Sequence, residues 1–291
     1  MRAAELANRF RIAGAVEFTE TEHGLVKATI LEGGMTGELF LQGGQVTGWQ
    51  PSGERPVIFT SPNSNFAPGK AIRGGIPIIF PWFGPHPTNP AAPQHGYART
   101  AEWQLVNVER SADAVTFELS LSPENLELSC RITFGHGLQL SLTVENRSAQ
   151  EVEFEEAFHT YFAISDVEQV TVSGLEACPF IDKTAGAQLH PLASMPLSLT
   201  KETDSVYLNT PESLTLHDPG WQRRIVIGKP GAASTIVWNP WPEKAAAMAD
   251  LGAANWRGFV CIEAGNVADN RIRLPAGGAH EMHLHIAVDV G

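Results

Sequence analysis

Three stretches of this 291-residue sequence hold polar side chains where apolar surroundings give them no structural reason. In WRGFVCIEAGNV, Val260, Cys261, Ile262 and Ala264 make a run that is apolar on both faces. Such a run reads as a central strand. Glu263 sits near its end, just before Gly265 and Asn266. A carboxylate there must be paired or hydrogen-bonded, or bear the cost of losing its water. That loss raises its pKa toward the range of a general base. A glutamate tied down by a neighbouring arginine is the plain alternative.

The second stretch is EVEFEEAFHTYFAI. A period of two puts Val152, Phe154, Phe158 and Phe162 on one face, with Glu153, Glu155, Ala157, His159 and Tyr161 on the other. Small Ala157 leaves room beside His159, whose imidazole changes charge near neutral pH. His159 fits proton transfer, and fits a satisfied structural histidine equally well. The third stretch is AIRGGIPIIFPWFG followed by PQHGYART, with Arg73 before a glycine pair and Arg99 after His95-Gly96-Tyr97. Guanidinium forks suit phosphate, and glycines let backbone and ligand approach. Two ordinary ion pairs near a turn would read the same way.

Weaker signals get a plainer reading. His283 and His285 lie two apart on one strand face, but no third ligand stands convincingly beside them, so a partly exposed final strand is expected and no metal. Trp238 and Trp241 in VWNPWPEK suit a sugar-stacking platform or simple packing. No Walker loop, dinucleotide glycine fingerprint or nucleophile elbow occurs, so no nucleotide cofactor is indicated.

The elements that must position these residues are strands. Only the first ten residues and Glu243–Leu251 look helical. The rest alternates apolar and polar between turn signals such as Gly33-Gly34, Gly43-Gly44 and Asp218-Pro219-Gly220. Twenty-seven glycines and twenty prolines suit that many turns. More than a dozen strands without a βα rhythm predict an all-β fold, an antiparallel β-sandwich. Residues 81–94 hold five prolines in fourteen positions and read as a long surface loop. One domain over 25–291 is expected, preceded by a helical or extended segment over 1–24.

A net charge of −12 disfavours nucleic acid and acidic membrane surfaces as partners, so an anionic ligand would need its own basic pocket. No run approaches the roughly 18 apolar residues of a membrane span. The polar N-terminus lacks a signal-peptide core. The three cysteines, Cys130, Cys178 and Cys261, have no pairing or zinc spacing. A cytoplasmic protein with buried, reduced thiols is the expectation.

Taken together and in order, AIRGGIPIIFPWFG, PQHGYART, AFHTYF, DSVY, VWNPW and GFVCIEAGNV resemble the glucose-6-phosphate 1-epimerase family, within the aldose 1-epimerase superfamily. The resemblance runs from about Leu25 to the C-terminus. It implies a large antiparallel sandwich of the galactose-mutarotase type, needing no cofactor or metal. It implies His159 as catalytic acid and Glu263 as catalytic base, opening the sugar ring and closing it on the other face. It implies His95, Gln94 and Asp204 on the sugar and Arg73 and Arg99 near the phosphate. His159 must then be protonated, a state that Glu155 could favour. The expected partner is a small sugar phosphate, met by a monomer. Residues 174–200 match no motif of the family. A mutarotase of unphosphorylated aldoses and a non-catalytic sugar binder are the rival readings.

Overall fold

A computed structural model of the chain describes residues 2–191 and 195–290. Residues 192–194, within the segment that matched no motif, lie outside the described residues. The fold is all-β, built of antiparallel sheets.

The front sheet has eight strands among the described residues. In chain order they are β1 (Ile78–Ile79), β2 (Glu156–Phe158), β3 (Tyr161–Ala163), β4 (Phe180–Asp182), β5 (Gln188–His190), β6 (Thr203–Leu208), β7 (Ser234–Asn239) and β8 (Phe259–Asn266). They lie side by side as β5-β4-β6-β7-β8-β2-β1, and β3 also pairs with β8, further along it. The back sheet has nine strands, with the long Ala279–Val290 strand at its centre. Side chains of both sheets meet in one core, where Phe117, Leu140, Leu142, Leu284 and Ile286 from the back join Phe158, Phe162, Val237, Ile262 and Ala264 from the front. A third sheet of four strands spans Val16–Gln50. Helix α1 (Ala3–Phe10) buries Ala3, Leu6 and Phe10 into the same core, the spacing of one helical face.

β8 is buried along its whole length. Its period of two puts Glu263 on one face with Cys261 and Gly265. The cross-strand register extends that row: Glu263 pairs with Ile236 on β7, Ile236 with Val206 on β6, and Val206 with Ile181 on β4. The neighbouring row runs Cys261, Trp238, Asp204. Directly paired residues share a face, so these two rows make one floor.

Two expectations about local structure need correction. Residues 152–163 are not one strand but three pieces: Val152–Phe154, β2 and β3. Glu155 ends the first by turning its carboxylate to accept from the backbone N–H groups of Phe83 and Ala268. His159 and Thr160 interrupt the second, because His159 N–H donates to the Pro77 carbonyl and Thr160 N–H folds back to Phe158. The second helix, α2, is Trp241–Ala246 rather than 243–251. Pro240 is its N-cap and Pro242 sits in its first turn, where a missing N–H costs nothing, and so they set its start. Residues 81–94 do form a loop without helix or strand. No helix among the described residues is long and apolar enough to cross a membrane. All three cysteines are buried and unpaired.

Candidate active site

Above the floor rows lies a cleft of about 290 Å³. Its floor holds His159, Glu263, Ile236 and Trp238. Asp204 closes the floor at one end; one wall is the proline-rich loop with Phe83 and Gln94, followed by His95, and the others carry Lys183, Arg73 and Lys244. Of the residues singled out from the sequence, Arg73, Gln94, His95, His159, Asp204 and Glu263 meet in this one space.

His159 Nε2 lies 3.3 Å from Glu263 Oε1, with both side chains buried. The imidazole stacks on the Tyr161 ring at 4.9 Å between centroids and meets Trp238 edge-on. His159 Nδ1 and Glu263 Oε2 are buried without a hydrogen-bond partner among the described residues. Buried polar atoms of this kind are uncommon and cluster where ligands bind. Burial drives the Glu263 carboxyl well above the ordinary glutamate range, and the charge of Asp204 adds to that. Burial drives His159 well below the ordinary histidine range, with His95, Arg99 and Arg73 adding to that. Both shifts favour the neutral forms, a protonated carboxyl beside an uncharged imidazole, over the ion pair. This corrects the expectation that Glu155 would keep His159 protonated. Glu155 is committed to two backbone N–H groups elsewhere, and desolvation dominates at His159.

His95 is held in one tautomer. Its Nδ1 accepts from Gly84 N–H at 3.2 Å, which leaves the proton on Nε2. Burial, with the positive charges of Arg99, Lys183 and Arg73, lowers it to about 3, so it is neutral at working pH. Its ring sits edge-on to Phe83 and to His159. The loop approaches the sheet closely at Gly96: φ is +70° there, and a Cβ would lie 1.9 Å from the Phe80 carbonyl oxygen. Gly75 has the same cause, a Cβ there falling 2.3 Å from the Val46 carbonyl oxygen. The glycine pair after Arg73 thus serves backbone packing rather than ligand approach.

The two arginines differ. Arg73 lines the cleft, with Nε 3.0 Å from Asp250 Oδ2 and Nη1 donating to Tyr161 Oη at 3.2 Å. Arg99 is not among the lining residues: Nη2 donates to the Gln94 carbonyl at 2.7 Å, and Nε is buried without a partner among the described residues. Trp238 lies on the floor, whereas Trp241 packs on Trp256 at 4.7 Å between centroids. His283 and His285 belong to the back-sheet strand Ala279–Val290.

The model of the aldose 1-epimerase family matches residues 27–287. The chain belongs to the aldose 1-epimerase family. A Cenchrus ciliaris protein named "Putative glucose-6-phosphate 1-epimerase" is 33% identical over 267 residues, covering 85% of this chain and 80% of that one. An Escherichia coli protein of the same name is 35% identical over 232 residues, covering 77% of each. The crystal structure of a "putative mutarotase" from Salmonella typhimurium superposes with a TM-score of 0.90 at 26% identity, covering 97% and 96% of the two chains. Galactose 1-epimerase from Lactobacillus acidophilus, at 14% identity and a TM-score of 0.72 over 96% of this chain and 100% of that one, shares the fold. As an aldose 1-epimerase family member, this protein is an isomerase that interconverts sugar anomers.

The family's floor has companions that no motif announced. Lys183 comes from the segment that matched nothing, and Lys244 from α2. A lone lysine in a polar stretch carries no local signal, since only the β6–β4 pairing brings Lys183 to Asp204. Among the described residues, no group of three His, Cys, Asp or Glu could hold a metal ion.

Proposed function

We propose that the protein interconverts the α and β anomers of a hexose 6-phosphate, D-glucose 6-phosphate first among them. The observation that carries this reading is the company the proton-sharing pair keeps. His159 and Glu263 lie at the bottom of a cleft walled by Arg73, Lys183 and Lys244, in a chain of net charge −12. Three cations around one small space, in an otherwise acidic protein, favour an anionic substrate. The names of the relatives from Cenchrus ciliaris and Escherichia coli agree with it.

The chemistry follows from one shared proton. The imidazolium–carboxylate form is one transfer away across 3.3 Å. In that form Glu263 takes the proton of the anomeric hydroxyl while His159 gives its proton to the ring oxygen. The bond from C1 to the ring oxygen breaks and the aldehyde forms. His159 is then neutral and Glu263 protonated, the distribution that burial favours for both. Rotation about C1–C2 presents the other face of the aldehyde. Closure returns both protons and leaves the inverted anomer. Neutral His95 offers an Nε2–H to a sugar oxygen, Asp204 accepts from hydroxyls, and Trp238 gives the ring a flat apolar surface. Gln94, at the rim, reaches the sugar from the loop side, while Arg73, with Arg99 bracing the wall, draws the phosphate.

Magnetisation-exchange NMR on the anomers of glucose 6-phosphate and of glucose tests the reading. Catalysed exchange that is faster for the phosphate ester, at equal low concentration, is expected. Equal or faster exchange for free glucose would assign the site to neutral aldoses. Binding of either sugar with exchange at the buffer rate would make the protein a binder.

A further inference from the structure

Three cations line the cleft among the described residues, and two of them are committed. Arg73 is bound to Asp250 and Tyr161. Lys244 Nζ donates to Glu202 at 2.7 Å. Lys183 is different: its Nζ stands 3.6 Å from Asp204 Oδ1, beyond a hydrogen bond, and it has no other polar partner among the described residues. Its ammonium instead rests 5.2 Å from the centroid of the Phe83 ring, a partner that leaves its N–H donors free.

The position of Lys183 is built rather than incidental. It opens a single 3₁₀ turn, Lys183–Ala185, at the tip of the β4–β5 hairpin. Asp182 caps that turn by accepting from Thr184 N–H and Oγ1–H at 2.9 and 2.6 Å, and Gly186 closes it at a φ of 75°. The β4–β6 register, Ile181 with Val206 and Asp182 with Ser205, carries on to set Lys183 beside Asp204. The lysine therefore joins the floor of the cleft to one wall. Asp204 is on the sheet side, and Phe83 is on the proline-rich loop that also carries His95.

We infer that Lys183 is a specificity-determining residue of the site, a lysine at the cleft mouth that turns its unbonded ammonium from Asp204 onto the phosphate of the bound sugar. This rests on the hexose-phosphate reading and deepens it. A lysine is a compact point charge on a flexible stem, suited to moving between two oxyanions. Moving it to the phosphate takes its charge away from Asp204 Oδ1, 3.6 Å off, and makes that carboxylate a stronger acceptor for sugar hydroxyls. A sugar without phosphate offers the ammonium no second anion, and leaves it beside Asp204. Lys183 thus ties recognition of the charged group to the strength of the hydroxyl acceptor, a coupling that Arg73, held by Asp250 and Tyr161, cannot supply.

The test is anomer exchange by wild type, K183Q and K183R with glucose 6-phosphate and with glucose, resolved into KM and kcat. A parallel calorimetric titration uses glucitol 6-phosphate and glucitol, which have no anomeric centre. K183Q is expected to raise KM for glucose 6-phosphate about tenfold or more, the scale of one charge-assisted hydrogen bond. Its kcat should change far less, and K183R should recover most of the loss. Affinity for glucitol 6-phosphate should fall in step and lose part of its salt dependence. An unchanged KM for glucose 6-phosphate in K183Q overturns the proposal. So does an equal loss on glucose and glucose 6-phosphate, which would assign Lys183 to Asp204 alone. Wild-type enzyme that shows no preference for the phosphate ester would sink the hexose-phosphate reading, and this proposal with it. That outcome is read before any variant is made.

Discussion

His159 and Glu263 face each other on adjacent antiparallel segments. The register that pairs Phe158 with Ala264 and Tyr161 with Cys261 puts residue 159 opposite residue 263 and brings Nε2 to 3.3 Å from Oε1. Cross-strand neighbours have Cβ atoms about 5 Å apart, so the contact needs no loop to arrange it. The break in the ladder at His159 and Thr160 leaves the imidazole free of strand geometry while the flanking strands hold its base. From this contact and its surroundings four predictions follow.

Removing either member of the pair removes the proton exchange. His159→Asn and Glu263→Gln should each slow anomer exchange by about a hundred- to ten-thousand-fold. Groups that share one proton act as a unit, so the double variant should be little slower than the slower single. Exchange NMR on glucose 6-phosphate measures all three. Losses that multiply would show two independent contributions and contradict the shared proton.

The same pair costs stability, with opposite pH signatures. The folded pKa of Glu263 lies above its unfolded value, so the folded state binds that proton more tightly and loses stability as pH rises past about 4.3. Glu263→Gln should therefore raise Tm by about 3 °C or more at pH 8, with a smaller gain at pH 5. His159 runs the other way: its folded pKa lies below the unfolded value, so stability falls as pH drops below about 6.5. His159→Asn should flatten that acid limb. Calorimetric scans of the variants from pH 5 to 8 read both slopes, and a pH-independent difference would contradict them.

Asp250 orients Arg73 from outside the cleft lining. Asp250→Asn keeps the size and removes the charge that aims the guanidinium. KM for glucose 6-phosphate should rise about threefold to tenfold with kcat nearly unchanged, the cost of one less ordered charged contact. Steady-state exchange rates decide it. An unchanged KM would mean that Tyr161 alone holds Arg73 in place.

Gly96 is where the loop carrying His95 meets the sheet. Gly96→Ala would drive a Cβ to 1.9 Å from the Phe80 carbonyl oxygen at a φ of +70°. The backbone must move, at a cost of about 2 kcal/mol or more. Urea titration should show that loss, and exchange rates should fall because His95 moves with the loop. A variant as stable as wild type would mean that the loop relaxes freely.

Much of the architecture was legible locally. Alternating runs between glycine-rich turns announced strands, and the apolar run around Glu263 announced a buried one, because burial on both faces leaves no room for alternation. The fold class, the long loop over 81–94 and the acid–base candidates came from such patterns and from the order of the motifs. The false reading of 152–163 as one strand has a plain cause. Glu155 and His159 keep the period of two, but backbone partners at Phe83, Ala268 and Pro77 interrupt the ladder there, and those partners are far away in the chain.

By itself, then, the sequence determined the strand content, the buried carboxylate and the residues able to move protons or meet an anion, since these depend on side-chain chemistry and short-range pattern. Only the tertiary structure decided the pairings. Register set His159 against Glu263 and carried Lys183 to Asp204, while packing put Arg73 in the cleft lining and left Arg99 out of it, on the Gln94 carbonyl. The direction of the pKa shifts was decided there too. Desolvation depends on everything packed around a group, and it pushes His159 toward the neutral form where its sequence neighbours suggested a charge.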